Sequence, residues 1–255
     1  MDLSAFFSRN FQSAKLIGRA YCGIANFGSE NVLINPATGF EKSDFSILFF
    51  GSKGEFDLDE LGFKGVQLNS KYNSINLNFG VNIFGDKNYS ELNYTINYAN
   101  EILEEIYFGL NVNLHSLKIA NYGTSSKISF DGGLIYALNE KYKIGVSVIN
   151  PTREKISKSK IDLPQIYILG INYEPLEHSF FEWNIVHQIS EKISHRVGLK
   201  YELSKHFNFS SGFETEPKLI FLGISVMNDF GSIDYATKIN KEIGNTHIYT
   251  IKINF

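Results

Sequence analysis

The sequence predicts an all-β fold, a transmembrane antiparallel β-barrel of fourteen strands with an N-terminal segment inside its lumen. Three observations lead to this fold class. Segments of about ten residues alternate apolar and polar side chains, as in Ile75–Ile83 and Ile106–Leu114. Short turn signals divide these segments into an even number. Charged residues fall on the face opposite the bulky apolar ones. Together these features are typical of barrels that turn their apolar face to lipid.

The composition excludes several other classes of protein. The 255 residues include 24 Lys and Arg against 27 Asp and Glu, so no excess positive charge favours nucleic acid. Cys22 is the one cysteine, which rules out an intramolecular disulfide framework. No apolar run is long enough for a transmembrane helix. Residues 1–12 lack the apolar stretch of a secretory signal, so we expect any export signal to have been removed or to lie upstream.

Within residues 1–43, the stretch Gly18–Ala37 does not have the pattern of a strand. Small residues are frequent in this part of the chain, and Pro36 fixes its own φ while holding Asn35 extended. Such a segment can lie close to surrounding backbone, so we expect it to fill the barrel formed by residues 44–255. An arm on the outside of the barrel is the alternative.

Turn signals such as Asn139-Glu140-Lys141 and Gly244-Asn245 divide the rest of the chain. We predict strands at 44–51, 61–71, 74–84, 89–99, 104–117, 126–138, 142–150, 165–174, 179–189, 193–203, 206–214, 218–227, 231–240 and 246–255. No helical period interrupts them, so we expect one structural unit.

The charged residues of these strands share one face, which we expect to line the lumen. They are Asp131, Glu182, Arg196, Lys200, Glu214, Asp234, Lys238 and Lys252. In lipid the apolar face turns outward, and closure of the sheet leaves no unpaired edge. A soluble barrel of fourteen strands is the alternative.

The last strand places apolar side chains at every second position and ends on an aromatic residue, with Tyr249, Ile251, Ile253 and Phe255 on one face. This ending resembles the C-terminal signal of bacterial outer-membrane proteins. The resemblance implies location in the bacterial outer membrane, with outer-membrane lipid and the barrel-assembly machinery as partners. An ordinary amphipathic strand that happens to be last is the alternative. Both termini of an even-stranded barrel lie on one side, which we take as periplasmic, and the longest outer loop is then Pro151–Pro164.

A motif in the N-terminal segment resembles a known family. The run Ile17-Gly18-Arg19-Ala20-Tyr21-Cys22-Gly23, followed by Asn35-Pro36-Ala37, is similar to the hatch of the FadL-type long-chain fatty acid transporters. In that family the hatch plugs a fourteen-stranded barrel. A shorter form, small residues followed by Asn-Pro-Ala, also resembles the type IX secretion barrels of the PorV and PorQ kind. The matching residues cover about twenty positions of this chain.

The resemblance implies that hydrophobic small molecules such as fatty acids bind in the lumen and leave sideways beside a kinked third strand. Gly80 is the matching position, and we expect Asn35-Pro36-Ala37 to pack against an inward kink there. A small residue that only makes room for the segment is the alternative.

An amphipathic acid needs an apolar slot and a cation for its carboxylate. Candidate ligand-binding residues are Arg19, Tyr107, Phe180, Arg196, Lys200 and Phe221. The alternative is that the cations pair with lumen acids such as Glu182, Glu214 and Asp234 and hold the segment. The predicted lumen is also rich in Asn and charge, and the outer loops are short, which departs from the family.

The sequence shows no catalytic or metal-binding constellation, so we expect neither an enzyme nor a metal nor a cofactor. The six histidines lack metal-ligand spacing. His115 and Ser116 are neighbours, but adjacent strand residues face opposite ways. The competing function is a non-transporting barrel that binds a protein partner, as in the secretion branch, and the short loops favour it.

Overall fold

Fourteen antiparallel strands close into a barrel in the computed structural model. The structure describes residues 7, 12–40, 45–54, 58–72, 75–156, 161–242 and 244–255. The barrel strands are β1 (Phe45–Ser52), β2 (Phe63–Tyr72), β3 (Ile75–Gly85), β4 (Tyr89–Leu103), β5 (Ile106–Ile119), β6 (Gly123–Ala137), β7 (Tyr142–Ile149), β10 (Ile166–Tyr173), β11 (Ser179–Gln188), β12 (Ser194–Ser204), β13 (Phe207–Glu214), β14 (Leu219–Asn228), β15 (Gly231–Asn240) and β16 (Gly244–Asn254). Two short strands, β8 (Lys155–Ile156) and β9 (Ile161–Asp162), form a hairpin between β7 and β10.

The predicted closed antiparallel barrel of fourteen strands is confirmed. Consecutive barrel strands pair with each other, and β1 closes the ring against β16 with Phe49 opposite Ile251. The largest difference from the predicted limits is at β4, which continues to Leu103 because its pairing with β5 resumes after a register shift near Glu101. The hairpin of β8 and β9 was missed, since strands of two residues carry no alternation to read.

Side chains alternate between the two faces of the wall as predicted. In β3, Leu77 is 49% exposed on the outer face, whereas its neighbour Asn78 is 4% exposed on the inner face. Among the described residues, no helix is both long and apolar enough to cross a membrane. We call the end of the barrel that carries the β1–β2 and β7–β10 connections the loop end, and the end that carries Phe255 the terminal end.

Residues 12–40, called the N-terminal segment below, cross the inside of the barrel. The short helix α1 (Ala14–Ile17) contacts β14, β15 and β16, while the 3₁₀ turn Pro36–Gly39 contacts β4, β5 and β6. These two groups of strands lie on opposite sides of the ring. The segment therefore contacts the wall on two opposite sides of the ring.

Local sequence explains the two turns that anchor the segment. Ser13 caps α1, its hydroxyl accepting a hydrogen bond from the Leu16 amide at 3.4 Å. Asn35 caps the second turn by accepting from the Ala37 amide at 3.0 Å, and Pro36 at the first position loses no backbone bond there. Apolar side chains of the segment, among them Leu16 and Ile24, then pack into the main buried cluster with wall residues such as Phe221.

Candidate functional site

Inward-facing amides of the wall hold the backbone of the N-terminal segment. Each donates to a backbone carbonyl oxygen of the segment, which helps to avoid the cost of burying that oxygen unsatisfied. The bonds are Gln67 to Ser29 (2.5 Å), Asn78 to Gly39 (3.2 Å), Asn97 to Pro36 (3.0 Å) and Asn111 to Val32 (2.8 Å). The amides that made the predicted lumen look polar thus bind the protein's own segment.

A buried wall carboxylate holds the middle of the segment. Glu182 accepts hydrogen bonds from the amides of Ile24 at 2.9 Å and Ala25 at 3.3 Å. Asn35 donates to the Ile24 carbonyl at 2.5 Å, which ties the two halves of the segment together. Hydrogen bonds to an ionised carboxylate are among the stronger ones, so this is a firm attachment point.

Inward-facing glycines let the segment lie against the wall. A Cβ at any of these positions would overlap the segment, most often its backbone; they are Gly109, Gly133, Gly145, Gly198 and Gly212. At Gly109 the overlap is with the Pro36 carbonyl, and at Gly133 it is with the Asn35 side chain. Sequence reasoning missed this function, although a glycine at a lumen-facing position of a strand is the signal that could have indicated it.

Five of the residues singled out in the sequence come together beside β11, β12 and β14. The guanidinium carbon of Arg19 lies 5.0 Å from the centre of the Phe180 ring, and that of Arg196 lies 5.0 Å from the Tyr21 ring. Tyr21 in turn meets Phe221 edge to face, with ring centres 5.6 Å apart. These cation–π and aromatic contacts link the Arg-Ala-Tyr part of the motif to the wall.

The two arginines of this group, and the neighbouring Lys200 that lies opposite Phe180 in the ladder, already have partners. Arg196 Nε donates to Glu214 Oε1 at 2.7 Å, and Lys200 Nζ donates to Glu202 Oε1 at 2.9 Å. Arg19 Nη2 donates to Asn31 Oδ1 at 3.2 Å within the segment. A carboxylate ligand would have to compete with these contacts. The arrangement agrees with the alternative in which the cations hold the segment.

Tyr107 lies elsewhere, near the terminal end. Its ring is 4.6 Å from that of Phe27 and 5.4 Å from that of Phe40, measured between centres. This aromatic group is separate from the cation cluster, so the structure does not unite all six predicted ligand residues.

Gly80 is not the point at which the Asn35-Pro36-Ala37 turn meets the wall. The pairing of β3 with β2 and β4 is continuous through Gly80, which lies opposite Gln67 and Thr95. The turn instead lies against Gly109 and Gly133, as described above. Gly80 lines a cavity of about 10 Å³ beside Val32 and Leu33, which has room for about one water molecule.

An ion pair within the segment joins its helix to another 3₁₀ turn, Ser29–Asn31, which lies between α1 and the turn Pro36–Gly39. Lys15 Nζ lies 3.1 Å from Glu30 Oε1. Burial opposes ionisation of Glu30, but Lys15, Lys252 and Arg19 together hold the pKa of its carboxyl below the usual range. The same pairing with Glu30 raises the pKa of Lys15, against the effect of burial. Both charged forms are favoured while the segment is seated.

An apolar cluster, called the loop-end cluster below, lies at the loop end of the lumen. It contains Phe7, Leu117, Ile156 and Leu163, with Tyr89 and Ile119 packed against it. The amide of Phe7 donates to Glu91 at 2.7 Å, and the Phe7 ring meets His115 with centres 5.0 Å apart. His115 bonds to Ser129 on the next strand at 2.8 Å. The sequence did not indicate this cluster because its members are far apart in the chain.

The residues of the predicted assembly signal lie on the outer face of β16 and at its end. Tyr249, Ile251 and Ile253 are all exposed, and Phe255 is 70% exposed. Phe255 helps to close the barrel at the seam between β1 and β16. Its amide donates to the Phe45 carbonyl at 3.0 Å, and the centres of the Phe45 and Phe255 rings lie 5.6 Å apart. In the part of the chain that the structure describes, no three His, Cys, Asp or Glu side chains group as a metal site would require.

This architecture defines a class of protein. The closed barrel of fourteen strands is similar in fold to solved structures of FadL-family transporters, so the resemblance read from the sequence is confirmed at the level of the fold.

Solved structures of that fold superpose over nearly the whole chain. The Pseudomonas putida toluene transporter TodX matches with a TM-score of 0.72 and 11% identity, covering 95% of this chain and 98% of TodX. The CymD monoaromatic hydrocarbon channel matches with a TM-score of 0.70 and 13% identity, covering 97% and 99%. A Pseudomonas aeruginosa FadL homologue matches with a TM-score of 0.67 and 10% identity, covering 94% and 97%.

No protein-family model matches the sequence, and no curated protein matches it. The relation to known proteins is therefore carried by the fold.

Proposed function

We propose that the protein is an outer-membrane barrel for the uptake of hydrophobic small molecules. In this proposal residues 1–43 act as a hatch and residues 44–255 form the barrel. The observation that supports it is the N-terminal segment across the lumen. A segment held there obstructs a direct aqueous path along the inside of the barrel. The structures of similar fold are named as transporters or channels for hydrophobic compounds, which agrees with this function.

The proposed path starts at the loop-end cluster, where an apolar molecule would find an apolar lining. It continues past the hatch, which must shift because amides and Glu182 hold it in place. It ends at a lateral exit beside β3. The cavity lined by Gly80, Val32 and Leu33 supports this exit, since it is a place where the hatch and the wall are not in full contact.

Among substrates, the lumen favours neutral compounds over fatty acids. A fatty acid carboxylate would have to replace Glu214 at Arg196 or Glu202 at Lys200, and breaking the largely buried Arg196–Glu214 pair is costly. A neutral aromatic compound needs only apolar and aromatic contacts, which Phe180 and Phe221 can offer. Fatty acids remain the second class to be tested.

The test is uptake by protein reconstituted in liposomes. Two probes are used, the neutral fluorescent compound N-phenyl-1-naphthylamine and a fluorescently labelled long-chain fatty acid. We expect faster uptake of the neutral probe than in empty liposomes, and slower uptake by Leu117→Asn, which places an amide in the loop-end cluster. The control is Tyr122→Asn, an exposed residue outside that cluster. Uptake no faster than in empty liposomes would refute the proposal.

The second candidate is a barrel that binds a protein partner. The short connections at the loop end, such as residues 86–88 and 120–122, favour it because they build little over the lumen. Absence of uptake for both probes, in protein shown to be folded and inserted, would move this candidate ahead. Cross-linking in cells would then identify whether a partner protein contacts the loop end.

A further inference from the structure

The outer face of the barrel carries very few charges. Among the outward-facing positions of the described barrel strands, Lys64 and Lys118 are the only Lys or Arg residues, and no Asp or Glu faces outward. Lys64 lies on the outer face of β2 together with Val66 and Leu68, which are 38% and 36% exposed. A lysine on this face needs a physical reason, because it lies among apolar side chains that turn away from the lumen.

Lys64 borders a groove in the outer face. The strand register aligns Tyr249 of β16, Gly51 of β1, Lys64 of β2 and Ile83 of β3 in one row. Because Gly51 has no side chain, the surface is recessed between its bulkier neighbours. Gly62 and Gly85 extend the recess toward the loop end, and the whole depression has a volume of about 760 Å³. It is large enough for part of an elongated molecule.

The position of the groove indicates the depth at which it lies. Gly51 and Lys64 are each one residue from the loop-end limits of their strands, Ser52 and Phe63. In a membrane this level is close to the headgroups, where an outward lysine is tolerated far better than at the bilayer centre.

Aromatic residues on one side of the groove suit the same depth. The Tyr249 ring lies 5.4 Å from that of Tyr235, whose hydroxyl is 2.7 Å from His247 Nδ1. Tyrosines on the outer face of membrane barrels are enriched at the headgroup level because their rings are apolar and their hydroxyls polar. The groove thus combines an apolar floor and wall with one cation at headgroup depth.

We infer that this groove binds a membrane lipid with an anionic phosphate headgroup, the headgroup in the recess at Lys64, Gly62 and Gly85 and an acyl chain running from Gly51 toward the terminal end of the barrel. Charge complementarity selects this occupant, since no outward carboxylate in the described strands competes for Lys64. A second cation, Lys53, also lines the groove. The inference rests on the membrane location in the proposed function, but it does not depend on transport.

The test is lipid retention measured by native mass spectrometry. Folded protein is incubated with phosphatidylglycerol or with phosphatidylcholine of the same acyl chains. Removing one lysine near a membrane surface weakens attraction to anionic lipid by about 1 kcal/mol, or about fivefold. We therefore expect Lys64→Gln to retain about fivefold less phosphatidylglycerol, and Lys64→Arg to retain nearly as much as wild type.

Lys118→Gln is the matched control, because Lys118 also faces outward at the loop end but pairs in the ladder with Ser90 and Thr124 and does not line the groove. It should retain lipid like wild type. Equal retention by wild type and Lys64→Gln, an equal loss in Lys118→Gln, or equal binding of phosphatidylcholine would overturn the inference. Failure of wild-type uptake would instead overturn the proposed transport while the lipid difference persisted.

Discussion

Replacing Gly198 with alanine should loosen the N-terminal segment from the wall. Gly198 faces inward from β12, and an added Cβ would lie 2.5 Å from both the Arg19 carbonyl oxygen and the Cys22 Cβ. The carbonyl belongs to the backbone, so no rotamer change relieves the overlap. The adjoining residues Ala20 and Tyr21 have φ values of 53° and 59°, a left-handed conformation that is maintained only while the surroundings enforce it.

The expected magnitude follows from this overlap. Overpacking a well-filled site costs about 1–3 kcal/mol, which is small for a closed barrel but large for a segment held by local contacts. It corresponds to a shift of about 5- to 150-fold in the equilibrium between seated and displaced segment. Cys22 is the single cysteine and is 0% exposed, so its thiol reacts from the displaced state and reports this shift directly.

The assay is the rate of maleimide labelling of Cys22 in detergent-folded protein, with folding checked by heat-modifiable migration on a gel. Gly80→Ala is the control, since its added Cβ would meet nothing closer than the Thr95 Cβ at 3.9 Å. In Gly109→Ala the added Cβ, on β5 of the wall, would overlap Pro36 of the segment. Faster labelling of Cys22 in this variant would show that the segment moves as one unit. Wild-type labelling by folded Gly198→Ala would refute the reasoning that contact with this glycine holds the segment.

Three further predictions concern the segment, the seam and the proposed exit. Burial opposes ionisation of Glu30, but pairing with Lys15 holds its pKa below the ordinary 4.5. The stabilisation is therefore present above pH 4.5 and lost as the pH falls through the lowered pKa of Glu30, so hydrogen-exchange protection factors of the segment should fall in acid in wild type but not in Glu30→Gln. Deleting Phe255, which bonds to Phe45 at the seam, should reduce the amount of barrel in outer-membrane fractions; undiminished insertion would remove its proposed role in assembly. The Cβ of Gly80→Val would meet nothing closer than the Thr95 Cβ at 3.9 Å, but its two methyl groups exceed the cavity of about 10 Å³ beside the segment, so the variant should press on the segment and slow uptake of the neutral probe. Unchanged uptake would leave the proposed lateral exit without support.

The sequence by itself determined the barrel. The alternation of apolar and polar side chains in stretches such as Ile75–Ile83 is a local property. Successive side chains of a strand point to opposite faces, and this does not depend on which strand pairs with it. Turn residues marked the ends, so both the number of strands and most of their limits could be read without knowing which strands pair. The motif at Gly18–Gly23 and Asn35–Ala37 likewise indicated the fold family from residues close together in the chain.

Only the tertiary structure decided how the interior is arranged. Which inward amides meet the segment depends on strand register and barrel closure, which bring Asn111 to Val32 and Glu182 to Ile24 across large separations in sequence. The resemblance indicated Gly80 in the third strand, but the turn lies against Gly109, and the alternation of a strand does not show which lumen-facing glycine the segment will contact. The loop-end cluster and the groove at Lys64 also combine residues from several strands, and no local pattern records such combinations.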